Sequence, residues 1–161
     1  MSKQLASGLQ PDPARSPDAA SREHTTASLA LLLKRTEHAL RKRLQPTLDA
    51  EDLFFEQWQV LVVLAENPGM RMTEVADVAV VPAATLTRHM DKLVERALVI
   101  RRIDPADKRR VVVALSPMGV GLVTRIRVTE RTIEASLATG LGADRYQELV
   151  RELTLAPHLF D

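Results

Sequence analysis

The chain has no cysteine. Disulfides, thiolate metal ligation and any cysteine-based redox switch of its own are therefore excluded. It also has no apolar run approaching the roughly 18 residues that a membrane-spanning helix needs. The first residues, MSKQLASGLQPDPARSPDAASRE, carry no apolar core of the kind found in a secretory signal. A cytoplasmic protein with no membrane partner is the expectation. Glycine is scarce, six in 161 residues, which leaves little room for a Gly-rich phosphate loop. A nucleophile elbow and an HExxH pair are missing as well. Four histidines, His24, His38, His89 and His158, are dispersed and make no metal-ligand spacing. The carboxylates are scattered. The chain therefore reads as a non-enzyme with no cofactor and no metal.

What is present suits one domain. Hydrophobic residues make up 45 % and charged residues 27 % of the chain, enough for a core and ordinary for a globular protein. The net charge of +1 hides a local excess. Between Pro82 and Val112 stand Arg88, Lys92, Arg96, Arg101, Arg102, Lys108, Arg109 and Arg110. Only Asp91, Glu95, Asp104 and Asp107 oppose them, eight basic residues against four acidic. Such a footprint suits phosphate binding, although a solvated surface can look the same.

Residues 1–22, with Pro11, Pro13 and Pro17 among small polar residues, show no apolar period and read as a disordered tail. Leu29, Leu32, Leu33, Leu40 and Leu44 recur at helical spacing, predicting a helix from Thr25 to Leu44 that Pro46 ends. A second helix, Phe55 to Glu66, is apolar nearly all round and is expected to be buried on several sides. Asn67-Pro68-Gly69 breaks it, Met70 to Met72 reads as a very short strand, and Thr73 as the N-cap of a short helix, Glu74 to Ala79. Pro82 opens the next helix, which runs to about Leu98. On it Leu86, Met90, Leu93, Val94 and Ala97 share one face, and Thr85, Arg88, His89, Lys92 and Arg96 the other. Leu98–Ile103 and Arg110–Leu115 are strand-like, and the turn Asp104-Pro105-Ala106-Asp107 joins them into a basic hairpin. Ser116-Pro117 starts a helix of about 20 residues, Gly140-Leu141-Gly142 breaks it, and a last helix covers Ala143 to Leu155.

The predicted fold class is thus mainly α with a small β-hairpin, ordered as short helix, tight turn, amphipathic basic helix and basic hairpin. The major groove of B-DNA admits one α-helix, and a helix-turn-helix lays its second helix there. Such a helix needs an apolar face to hold it and a polar face to reach base edges. Thr85, Arg88, His89 and Lys92 meet the second need. A hairpin tip can approach the neighbouring minor groove, whose negative potential attracts arginine. Arg109 is the candidate, with Lys108 and Arg110 beside it; the alternative is an Arg109 paired only with Asp107 or Asp104. Thr87 lies off the face of Thr85 and Lys92 and is expected to cap or pack.

From about Glu56 to Val123 the sequence resembles the multiple-antibiotic-resistance regulator (MarR) family. The stretches that carry this are WQVLVVLAENPGMRMTEVADVAVV and TLTRHMDKLVERALVIRRIDPADKRRVVVALSPMG. Asp104, Pro105, Asp107 and Arg109, followed by Leu115-Ser116 and Gly119, form the most specific pattern. The resemblance implies a winged helix-turn-helix over 53–116 in a single domain, 23–161. It implies dimerisation helices at 23–50 and 117–161 that interlock in a homodimer on a palindromic double-stranded DNA operator. It further implies repression of nearby genes, relieved by a small aromatic or phenolic ligand. Asp104 and Asp107 then position the wing. Three residues depart from the family pattern. Pro82 takes the place of a polar N-cap, Ala84 that of a serine, and Ala97 that of the glycine that commonly ends the helix. A left-handed turn at Ala97 would be strained.

Trp58 reads as core, and alternatively as the wall of a ligand pocket. His38 and Arg41, on the first helix, could meet an anionic ligand there, exposed helix surface being the plainer reading. A second functional class stays open: a winged-helix module whose basic surface contacts a protein partner, with DNA binding weak or lost.

Overall fold

The computed structural model of the protein describes residues 28–104 and 106–160. The expected disordered tail, 1–22, lies outside the described residues, as do His24 and Pro105. The chain divides into two units, 1–35 and 36–161. The described part of the first is helical from Leu29, with Leu29, Leu31 and Leu33 exposed. The second holds the core.

Among the described residues, six α-helices and one hairpin follow in order. They are α1 (Leu29–Ala50), α2 (Phe55–Glu66), α3 (Met72–Val78), α4 (Ala83–Glu95), β1 (Val99–Ile103), β2 (Val111–Leu115), α5 (Pro117–Leu141) and α6 (Ala143–Leu155). A single 3-10 turn, Ala156–Leu159, follows α6. Helix α2 is the centre of the core. Trp58, Val60, Leu61 and Leu64 are buried along it, and it packs against α3, α4, α5 and β2, as its all-round apolar composition requires. The two strands are antiparallel, Val99 opposite Leu115 and Ile103 opposite Val111. Met70 adds an isolated bridge to Val113, whose N–H donates to the Met70 carbonyl at 2.9 Å.

Several boundaries differ from the sequence reading. Pro46 does not end α1, which continues to Ala50. The proline removes one backbone hydrogen bond, but Leu44 and Leu48 on either side of it are buried and hold the last turns in place. Arg71, not Thr73, caps α3, its N–H donating to the Glu74 carboxylate at 2.7 Å. Pro82 is the N-cap of α4 rather than its first residue, and offers no side-chain acceptor. Ala97 lies beyond the end of α4 and is exposed, not part of the packed face. Helix α5 spans 25 residues and includes Gly140.

Three helices end the same way. Asp52, Val80 and Ala97 have φ of 50, 53 and 55°. After α1, the Leu53 N–H donates to Leu48 O and the Asp52 N–H to Asp49 O. After α3, Val81 donates to Ala76 O and Val80 to Asp77 O; after α4, Leu98 donates to Leu93 O and Ala97 to Val94 O. Each pair of bonds closes a left-handed helix end, a position that usually takes glycine. In each case the next residue, Leu53, Val81 or Leu98, is buried. Burying a side chain of that size is worth about 1.5–3 kcal/mol, more than the roughly 1–2 kcal/mol cost of the left-handed backbone. The turn at Ala97 therefore takes the left-handed form despite its strain.

Gly119 is required for a different reason. A Cβ placed there would stand 2.1 Å from the Leu98 carbonyl oxygen. Beside it, the Ser116 hydroxyl donates to Ala97 O at 2.6 Å and accepts from the Gly119 N–H at 3.0 Å. The end of α4 is thus locked onto the start of α5.

Two outcomes follow for stability in urea. Gly119→Ala is expected to lose about 1–3 kcal/mol or more, the cost of overpacking against fixed backbone. Val80 is 84 % exposed, so Val80→Gly removes strain without removing contacts and is expected to gain roughly 0.5–1 kcal/mol. A midpoint unchanged in Gly119→Ala, or lowered in Val80→Gly, would contradict this account of the helix ends.

Candidate nucleic-acid interface

Helix α4 divides as its sequence requires. Leu86, Met90 and Leu93 are buried, while Arg88 and Lys92 are exposed and Thr85 and His89 half-buried. Thr87 turns back on its own helix, its hydroxyl donating to Ala83 O at 3.0 Å. Arg96 anchors the far end, its guanidinium donating to the Asp52 and Glu51 carbonyls at 2.5 and 2.7 Å. Arg101 on β1 pairs with Asp91 at 2.5 Å and ties the hairpin to α4.

The wing tip is built by its two aspartates. Asp104 accepts from the Ala106 N–H at 2.9 Å, and Asp107 from the Arg109 N–H at 3.0 Å. The Arg110 guanidinium pairs with the second Asp107 oxygen at 2.9 Å. Backbone bonds from Asp104 N–H to Arg110 O and from Arg110 N–H to Asp107 O close the turn. Asp107 thus holds the Arg109 backbone and the Arg110 side chain, and leaves the Arg109 side chain to solvent. Among the described residues, Arg88, Lys108 and Arg109 form no ion pair.

His89 is set apart from its basic neighbours. Its ring lies 6.0 Å from that of Phe54, and its Nδ1 is buried with no hydrogen-bond partner among the described residues. Loss of hydration holds its pKa below the usual histidine value; Glu56 opposes this, and Arg88 and Lys92 add to it. The Lys92 ammonium lies 5.5 Å from the Phe54 ring centre. Sequence reading missed Phe54 because a lone aromatic just before a helix carries no periodic signal.

Residues 52–110 match the sequence pattern of the MarR family. Transcriptional regulator HosA of Escherichia coli O111:H- is 32 % identical over 105 residues, covering 63 % of this chain and 78 % of that protein. The chain belongs to the MarR family. Its members are DNA-binding transcription regulators, not enzymes. A structure titled transcriptional repressor CouR bound to a 23-mer DNA duplex superimposes with a TM-score of 0.69 at 26 % identity, covering 81 % of this chain and 92 % of that one. NadR in complex with 4-hydroxyphenylacetate gives 0.74 at 25 % identity, with the same 81 % and 92 % coverage. Among the described residues of this MarR-family chain, no helix is long and apolar enough to cross a membrane.

A cleft of about 200 Å³ lies between α1, α2 and α5. Its apolar walls come from Leu40 and Leu44 of α1, Phe55, Trp58 and Val62 of α2, and Ile133 of α5. Trp58, only 2 % exposed, is at once core and wall. Its indole N–H donates to Glu130 at 3.2 Å. Neither His38 nor Arg41 lines the cleft. His38 is exposed. Arg41 is held by Glu56 at 3.0 Å and sits 4.9 Å from the Phe55 ring centre. The sequence reading passed over Glu130, although Ile126, Glu130, Ile133 and Glu134 recur at helical spacing.

Burial raises the Glu130 pKa above the usual carboxylate value; the Trp58 N–H lowers it, and Glu134 raises it further. A carboxyl whose pKa is higher in the folded than in the unfolded chain makes folding less favourable as pH rises from the unfolded value through the folded one. Glu130→Gln removes that slope. The expected result, from urea titrations across that window, is a variant whose stability relative to wild type grows with pH. A constant difference would mean that Glu130 is not held in this environment.

Proposed function

We propose that the protein is a homodimeric repressor that reads a palindromic operator near the genes it controls, in the cytoplasm, and is released by a small aromatic ligand. The observation that carries this reading is the pairing of an exposed basic α4 face with a wing tip whose Arg109 side chain is left unpaired by the aspartates that shape the turn. Thr85, Arg88, His89 and Lys92 reach the major groove, and Arg88 reads a base or a phosphate. Lys108 and Arg110 meet the backbone beside the minor groove, and Arg109 enters it. The CouR–DNA structure, on a related chain, supports the same use of the fold.

The dimer is supported by apolar surface that a single chain leaves uncovered. Helix α6 has no buried residue, and Leu149, Val150 and Leu153 are exposed along it, followed by Leu159 and Phe160. A second copy covers such a face and supplies the two-fold axis that matches half-sites roughly 34–36 Å apart. Release by a ligand is supported by the Trp58 cleft and by the aromatic ligand of the NadR structure.

Fluorescence anisotropy with DNA from the gene's own upstream region, against an unrelated duplex of equal length at two salt concentrations, tests the reading. The expected result is preference for the upstream DNA, two chains per site, and affinity that falls steeply with salt, by roughly 0.9 log units per log unit for each phosphate neutralised. Arg109→Ala is expected to weaken the specific complex by about 1–3 kcal/mol. Unchanged operator affinity in that variant would remove Arg109 from the interface. Weak, salt-insensitive binding of every duplex, genomic fragments included, would favour a protein-partner module instead.

A further inference from the structure

The polar groups of the Trp58 cleft are Glu130, Glu134 and Gln59, and among the described residues no lysine, arginine or histidine lines it. We infer that the cleft takes a compact aromatic cation, a single-ring amine, and rejects aromatic carboxylates. This deepens the ligand-released reading above and rests on it for its regulatory consequence, though not for the binding chemistry.

Size, wall chemistry and charge each select for such a ligand. About 200 Å³ is below the 300 Å³ or so at which drug-sized pockets begin, and suits one ring with a short arm. Trp58 and Phe55 make part of the wall aromatic, which favours a ring beside it; the Phe55 ring already carries Arg41 at 4.9 Å, so the ligand's counter-charge is left to the carboxylates. Glu130 is already half desolvated and spends one oxygen on the Trp58 N–H at 3.2 Å. Of the basic groups around it, Arg127 is paired with Glu66 at 2.6 Å and Arg41 with Glu56 at 3.0 Å, while Arg43 lines the adjoining cavity that shares Leu40 and Ile133. An entering carboxylate would bring a third negative charge beside two others, with no basic side chain among the described residues of the cleft walls to balance it. That is unfavourable for both like-charge and desolvation reasons. An ammonium finds its counter-charge at Glu130 and Glu134 and leaves its ring against the apolar wall. The 4-hydroxyphenylacetate of the NadR structure is an anion, so the two chains are expected to differ in the charge of what they admit.

The test uses three probes of one shape: phenethylamine, 2-phenylethanol and 3-phenylpropionate. Titration calorimetry on the full chain reads affinity. Emission from Trp58, the one tryptophan of the chain, reports whether binding occurs in the cleft. Phenethylamine is expected to bind at least tenfold more tightly than 3-phenylpropionate and to change the Trp58 emission, with the alcohol between them. Glu134→Gln, at an exposed position, and Glu130→Gln are each expected to weaken the amine about tenfold while leaving the alcohol within twofold. Equal or tighter binding of the carboxylate, no binding of the amine, or amine binding that both variants leave unchanged would overturn the inference. Operator anisotropy in the presence of each probe is read separately. Amine binding in the cleft without any operator complex to dissociate would uphold the site and sink the repressor reading. A sound operator complex with no amine binding would do the reverse.

Discussion

Three left-handed helix ends set the geometry on which the rest of the structure depends. Asp52, Val80 and Ala97 each turn the chain sharply with a positive φ, and each places an apolar side chain in the core immediately afterwards. The first turn leads the chain from α1 into α2, the second from α3 into α4, and the third from α4 into the hairpin. None of the three is glycine, so each spends backbone energy to bury Leu53, Val81 or Leu98. At the third, Gly119 and Ser116 complete the joint by admitting the Leu98 carbonyl and binding the Ala97 carbonyl. The orientation of α4 is therefore a consequence of where three short segments bury one residue each.

Charge on the basic segment is divided between structure and surface. Arg96 is used to fasten α4 to the end of α1, Arg101 to fasten the hairpin to α4, and Arg110 to close the wing tip. Arg88, Lys108 and Arg109 are left to the solvent side. Counting basic residues in the sequence overstates the surface available for phosphate, because part of that charge holds the reading head together. The exposed ion pairs are individually worth little, with a median near 0–1 kcal/mol, but they fix where the unpaired cations stand.

The cleft and the basic face share one short run of α2. Phe55 lines the cleft and carries Arg41 over its ring; the neighbouring Glu56 binds Arg41 and lies within electrostatic reach of His89 on α4. Two consecutive residues thus face, respectively, the cleft and the polar face of α4. A side chain displaced at one has an immediate neighbour at the other.

The sequence by itself determined the class of fold and most of its elements. The apolar run of α2, period 3.6 over α4, the Asp-Pro-Ala-Asp turn and the Ser-Pro start of α5 are local signals, each with a local physical cause. It also determined that α4 has one packed and one basic face, since alternation along a helix is a property of order alone. Only the tertiary structure decided the helix ends and the divided roles of the arginines. A left-handed valine or alanine is unfavourable in isolation and forms only when a distant core rewards the next residue. Pro46 is carried inside α1 for the same reason, through burial of Leu44 and Leu48. The cleft was decided there too. Trp58 and Glu130 are 72 positions apart, and no local pattern shows that an indole N–H and a carboxylate will share one wall until α2 and α5 have packed.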